Sequence, residues 1–279
     1  MFPIAAITFR EAIRKKIVLL AGLLTLSFVA LYGTGLYYAG SGMPTGVGEA
    51  VVRTAVVQQM LIMGLFMGSF IVSVTAIFAA VGTVSSEVDN GILYAVLARP
   101  IKRRNVILGK FIGCASLVTI FSLVLYAAII VLAKTLIGVA TSSEIPAILL
   151  LCVQPLLLTA VAVTFSTFLT TLGSGVAAFA LYAIAFVGGF VEQVGAIIGV
   201  DKLTNAGIIA SLISPSDSLY RKAIGVISPT GGSSPLEMMR SGPFGAVSTP
   251  STAMLVYAGI YLVLMLALAV GIFNKRDIS

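Results

Sequence analysis

No aspartate, glutamate, lysine or arginine occurs between Glu144 and Glu192. A helix needs about 20 apolar residues to cross the hydrocarbon of a bilayer, so this run is long enough for two crossings. An ionised side chain at the bilayer centre costs about 3 kcal/mol even on lenient scales, which is why charge-free runs mark spans. Thr170-Thr171-Leu172-Gly173-Ser174-Gly175 offers a turn near the middle. The same criterion along the chain predicts spans over residues 17–38, 56–82, 106–133, 145–170, 176–195 and 252–273. The fold class that follows is an all-α integral membrane bundle of six transmembrane helices, with residues 1–279 forming a single transmembrane domain.

Hydrophobic residues make up 59% of the chain and charged residues 10%, against about a quarter charged in a soluble domain. The net charge of +7 is clustered beside the apolar spans. There it meets anionic headgroups or a partner protein, which argues against nucleic acid. The sequence has no histidine, which excludes histidine-ligated zinc or haem and every catalytic pair built on histidine. The two cysteines, Cys114 and Cys152, lie near the starts of spans that run in opposite directions, an arrangement that argues against a disulfide. The first apolar run is longer than the core of a secretory signal and lacks a small-residue cleavage site, so it reads as a retained anchor.

Orientation follows from where lysine and arginine fall. Arg10, Arg14, Lys15, Lys16, Arg99, Lys102, Arg103, Arg104, Lys110, Lys275 and Arg276 fall on the side that holds both termini. The opposite side receives only Arg53, Lys134, Lys202, Arg221, Lys222 and Arg240. This predicts a multi-pass protein of a prokaryotic cytoplasmic membrane with both termini in the cytoplasm. Small residues at helix-packing spacing, such as Gly64 and Gly68, Ser69 and Ser73, or Gly109 and Gly113, suit close contacts within the bundle more readily than a dimer motif.

Residues 2–16 read as an amphipathic helix lying on the cytoplasmic membrane surface, opening near Pro3. Phe2, Ala6, Phe9 and Ile13 share one face, and Arg10, Glu11, Arg14 and Lys15 the other. A lipid anchor and a partner contact through Arg10 and Arg14 both fit.

The segment 85–105 carries more information. Glu87 and Asp89 precede a turn at Asn90-Gly91, then a short apolar helix stacks Ile92 on Val96 and Leu93 on Leu97 before Arg99-Pro100 stops it. Such a helix should bury its apolar face in membrane, neighbouring helices or another subunit. Glu87, Gly91, Pro100, Arg103, Gly109 and Lys110 occur in the order seen after the second span of the ABC-2 type permease family, the membrane subunits of ATP-binding-cassette exporters, and the chain resembles that family over nearly its whole length. The resemblance implies the six-helix (type V exporter) bundle, with 85–105 as a cytoplasmic coupling segment. Glu87, Asp89, Gly91, Ile92, Leu93, Val96, Leu97, Arg99 and Arg103, together with Arg10 and Arg14, would then face an ATPase subunit. It also implies two copies of that ATPase, a second permease copy, and ATP and magnesium bound by the partner. The chain itself contains no G-x-x-x-x-G-K-[ST] phosphate loop and is expected to be neither catalytic nor cofactor-bearing.

In the outer segment 196–251, Ser214 can cap a helix opening with Pro215, and Asp217 can complete a capping box. Leu219, Ala223 and Ile227 share a face, and Asp217 and Arg221 stand one turn apart. Ser214, Pro215, Asp217 and Arg221 therefore read as an extracytoplasmic structural cap. The Ser-Pro-x-Asp run with its following arginine resembles an element of the subgroup that includes nitrous-oxide-reductase maturation permeases. Gln58, Gln59, Gln154 and Glu192 are the polar residues of the spans and the candidates for a substrate path, with Glu192 expected to reach the interface. A secondary transporter or channel is the alternative reading, but the scarcity of midplane charge argues against proton coupling.

Overall fold

The computed structural model describes residues 2–41, 50–89, 91, 102–139, 143–227, 245–246 and 248–275. Among the described residues ten helices run in chain order: α1 Phe2–Arg14, α2 Lys16–Ser41, α3 Ala50–Ala80, α4 Ser85–Asp89, α5 Arg103–Ile137, α6 Glu144–Ser166, α7 Thr171–Ile198, α8 Asp201–Ile213, α9 Ser216–Ile227 and α10 Thr252–Lys275. Among the described residues six stretches are long and apolar enough to cross a membrane: Lys16–Ser41, Arg53–Val88, Arg103–Ile137, Glu144–Ser166, Thr171–Ile198 and Thr252–Lys275. Among the described residues there is no strand. The protein is an all-α, multi-pass membrane bundle.

Helix α6 is the central post, contacting α3, α5, α7, α9 and α10. Residues Leu157 to Val163 are buried on every side. The peripheral α2 instead turns Leu19, Leu20, Leu23 and Leu26 outward, each more than 60% exposed. A surface of this kind is suited to lipid and not to water. Lipid is as apolar as leucine, so helix association rests on close packing, and glycine provides it. A Cβ on Gly64 would fall 2.5 Å from the Tyr32 ring, and one on Gly68 would fall 2.7 Å from Ile129. These glycines seat α2 and α5 against α3 within the subunit.

Three expectations need correction. The buried face of α1 is Ala5, Thr8 and Ala12, while Ala6 and Ile13 are exposed. Small residues win this face because α1 is pressed against Gly113 of α5, where a Cβ would meet the Ala5 carbonyl and Thr8 Cβ at 2.7 Å. The turn between the fourth and fifth spans falls at residues 167–170, earlier than 170–175. Thr170 is the N-cap of α7 and accepts a hydrogen bond from the Gly173 amide at 3.3 Å, so Gly173, Ser174 and Gly175 belong to the helix.

The third correction concerns residues 201–227 of the outer segment, which do not rest on the bundle as a cap. Helix α8 folds back along α7, and α9 then runs against α6. Glycines permit this: a Cβ on Gly188 would overlap Ala210, one on Gly207 would overlap Glu192, and one on Gly189 would overlap the Asp217 carboxylate. At 1.5 Å per residue, Gly189 lies about 14 Å along α7 from its end at Ile198. The turn from α8 to α9 is therefore inserted deep beside the spans.

Candidate functional site

One group of expected site residues gathers at the end of the bundle that carries both termini. Helix α3 ends at Ala80, and Gly82, with φ +73°, turns the chain into α4. That left-handed conformation suits glycine, and the space where a Cβ would sit is taken by Thr171 of α7 at 2.8 Å. The amides of Val84 and Ser85, which open α4, both donate to Ser166 Oγ at 3.1 Å. The carbonyls that close α3 receive lysines: Lys15 Nζ donates to Ala79 and Val81 at 3.3 and 3.4 Å, and Lys110 Nζ donates to Thr83. A cation at a helix C-terminus is favourable because the orphan carbonyls carry partial negative charge. Lys110 also forms an ion pair with Glu87 of α4, Nζ to Oε2 2.6 Å, and is 3% exposed. Lys15, at the junction of α1 and α2, and residues of α5, α6 and α7 thus converge on one turn.

That turn leads directly into the expected coupling segment. Gly91 has φ +71°. Ile92, Leu93, Val96, Leu97, Arg99 and Pro100 lie outside the described residues, as does the side chain of Asp89. Arg103 has work within the bundle, where its Nη1 donates to the carbonyls of Phe273 and Asn274 at 3.3 and 3.2 Å and joins the start of α5 to the end of α10. Arg10 and Arg14 are exposed on the side of α1 turned away from α5.

A second group forms at the α8–α9 turn. Arg221 is 1% exposed and pairs with Glu192 of α7 at 2.7 Å and with Asp217 at 2.9 Å. Its Nη2 also donates to Ser211 Oγ at 3.2 Å and its Nη1 to the Ser248 carbonyl at 3.4 Å. The Ser248 hydroxyl donates to Glu192 Oε1 at 2.9 Å. Glu192, expected at the interface, is buried, paired there with the Arg221 guanidinium that α9 inserts beside α7. Burial pushes the Asp217 carboxyl up to about 6 against the opposing pull of Arg221. Burial also opposes the Arg221 charge, but its two carboxylate partners outweigh that and raise its affinity for the proton. The capping box does not form: the Ser214 hydroxyl lies 3.3 Å from Ser216 Oγ, and Asp217 is turned to Arg221. Beside this network a cleft of about 280 Å³ is lined by Glu192, Ser211, Ser218, Arg221, Ser248 and Met254, among others.

Gln154 borders the second group, lining one small pocket with Asp217. Its amide accepts from Ser69 Oγ at 2.8 Å and donates to Ser73 Oγ at 3.2 Å, bridging α6 to α3 inside the bundle. Gln58 and Gln59 sit on α3 more than two turns away, with Gln59 exposed. Gln154 and Glu192 thus both adjoin the Asp217–Arg221 pair, while Gln58 and Gln59 lie elsewhere along α3. Sequence reasoning did not single out Ser211, Ser248, Ser166 or the aromatic rings around Asp217. Gly188, Gly189 and Gly207 were the available signal for the inserted hairpin. Among the described residues there is no cluster of three or more groups suited to hold a metal.

A family model described as ABC-2 family transporter protein matches residues 2–278, which is the family as a whole and not a subgroup of it. No curated protein matches the chain.

Proposed function

The chain belongs to the ABC-2 transporter family and is a membrane subunit of an ABC transporter; from that premise we propose that it is the permease of an exporter powered by a separate ATPase. The permease works as a pair of copies in a prokaryotic cytoplasmic membrane, with the termini inside and one ATPase beneath each copy. ATP binding and hydrolysis belong to that partner, and this chain supplies the path. The observation that carries the reading is the convergence of Lys15, Lys110, Ser166 and Thr171 on the turn that leads from α3 into segment 92–101.

A push delivered to that segment reaches α5, α6 and α7 together with the junction of α1 and α2. The Glu87–Lys110 pair ties the start of the segment to α5, and Arg103 ties its end to α10. Closure of the ATPases therefore moves helices as rigid bodies and exchanges access from one side to the other. Arg10 and Arg14 add an exposed basic surface on α1 for the same partner.

The test is copurification of the chain with a candidate ATPase, followed by reconstitution and measurement of ATP hydrolysis and transport. Transport that proceeds down an ion gradient with no ATPase would sustain the secondary-transporter alternative instead.

A further inference from the structure

Between α3, α7 and α9 lies a pocket walled by aromatic rings. Phe70, Tyr182, Phe186, Phe66 and Tyr220 follow one another in an arc, with successive centroids 6.4, 6.4, 5.8 and 5.8 Å apart. Asp217 closes the arc, beside Ser69 and Gln154. The free volume is about 10 Å³, room for about one water. Phe70, on the wall, is 43% exposed, and Phe179, tilted against Tyr182 with ring centroids 6.3 Å apart, is 42% exposed. An occupant larger than one water requires Phe70 to rotate outward and give up its contact with Tyr182.

Charge and ring geometry point to the same kind of occupant. Asp217 and Glu192 share a single guanidinium, so the cluster has a net negative charge when both are ionised. Glu192 is enclosed by Arg221, Ser211 and Ser248, whereas Asp217 borders the rings. The faces of those rings are themselves negative and attract cations. A hydrated divalent ion needs about six oxygen ligands, and the ring wall does not offer them. A cation carrying its own apolar groups matches both the rings and the carboxylate.

We propose that the pocket bounded by Phe66, Phe70, Tyr182, Phe186, Tyr220 and Asp217 binds a hydrophobic organic cation of single charge. Its onium centre lies against Asp217 and the ring faces, and its apolar part lies toward Phe70. As a substrate class this rests on the transporter reading above; as a binding site it does not.

The sequence contains no tryptophan, so Phe179→Trp places one fluorescent reporter at the pocket mouth. The permease, in lipid nanodiscs and without any ATPase, is titrated with phenyltrimethylammonium and with its neutral isostere tert-butylbenzene. The expected result is a saturable change with the cation that the neutral compound does not compete away. Tyr182→Leu and Phe186→Leu should each weaken binding about 3- to 30-fold, and Asp217→Asn more than tenfold. Binding should also weaken as pH falls below about 6, when Asp217 takes up a proton while facing Arg221 and Tyr220 on α9 and Glu192 and Tyr182 on α7.

Equal competition by the neutral compound, unchanged affinity in Asp217→Asn, or no saturable signal would each overturn the proposal. If Asp217→Asn does not insert, the two ring variants, which leave the ion pairs intact, decide by the same criterion. Cation binding in a protein that never associates with an ATPase removes only the transporter reading. ATP-driven transport without cation binding removes only this site.

Discussion

Lys110 of α5 holds the Glu87 carboxylate of α4 at 2.6 Å while also donating to the Thr83 carbonyl. Glu87 stands at the beginning of the family-like segment and Lys110 at its end, so two residues that the sequence pattern only orders are in contact. The pair ties the chain that enters the segment to the helix that follows it.

Removing one partner of that pair should cost more than removing both. Lys110→Met leaves Glu87 and the Thr83 carbonyl without a cation, and a loss of about 3 kcal/mol is expected. The exchange Glu87→Lys with Lys110→Glu should recover part of the thermal midpoint. With the ATPase partner, single charge reversals should lower hydrolysis and transport together. Strictly additive effects of the two single changes would show that the pair does not act as a unit.

Arg221→Ala leaves two buried carboxylates, and the expected penalty is about 3–5 kcal/mol. Adding Asp217→Asn and Glu192→Gln removes the stranded charge and should restore much of that stability. Thermal unfolding of the single and triple variants in detergent distinguishes this from simple loss of packing, which the added changes would not repair.

The pH dependence at Asp217 has a definite sign. Its carboxyl is raised to about 6 by burial, so the folded state binds this proton more tightly than the unfolded chain does. The cost of ionising Asp217 is fully present above pH 6 and is relieved as pH falls through about 6 toward the ordinary carboxylate range. The groups facing it are Arg221, Glu192, Tyr220 and Tyr182. Stability of the wild type relative to Asp217→Asn should rise between about pH 7 and pH 5. A difference that stays flat or falls over that interval contradicts the assignment.

Gly188→Val and Gly207→Val should force α8 away from α7, because Ala210 and Glu192 occupy the space of the added side chains. Overpacking of this kind costs about 1–3 kcal/mol. Cysteine crosslinking between α7 and α8 reads the separation directly, and unchanged crosslinking in both variants would contradict the hairpin.

Orientation is checked by labelling a protein that lacks Cys114 and Cys152. A cysteine at Ser233 should react with an impermeant reagent applied outside intact cells, and one at Asn105 only after the membrane is opened. The reverse pattern would invert the topology.

Sequence alone determined the six spans, because a missing charge over some 20 residues is a local property that no packing arrangement needs to explain. The interacting strip of Asp217 and Arg221 was legible for the same reason, since four residues on a helix are neighbours wherever the helix sits. Tertiary structure decided the rest. Glu192 and Arg221 meet only because Gly188, Gly189 and Gly207 let α8 and α9 insert beside α7, and no periodicity in either helix contains that contact. Likewise the face α1 buries was set by Gly113 of another helix, which overrode the apolar stripe read from α1 itself. The positions of spans follow from each segment's own solvation, whereas partners across the bundle depend on how closely two backbones can approach, and that is a property of pairs of helices.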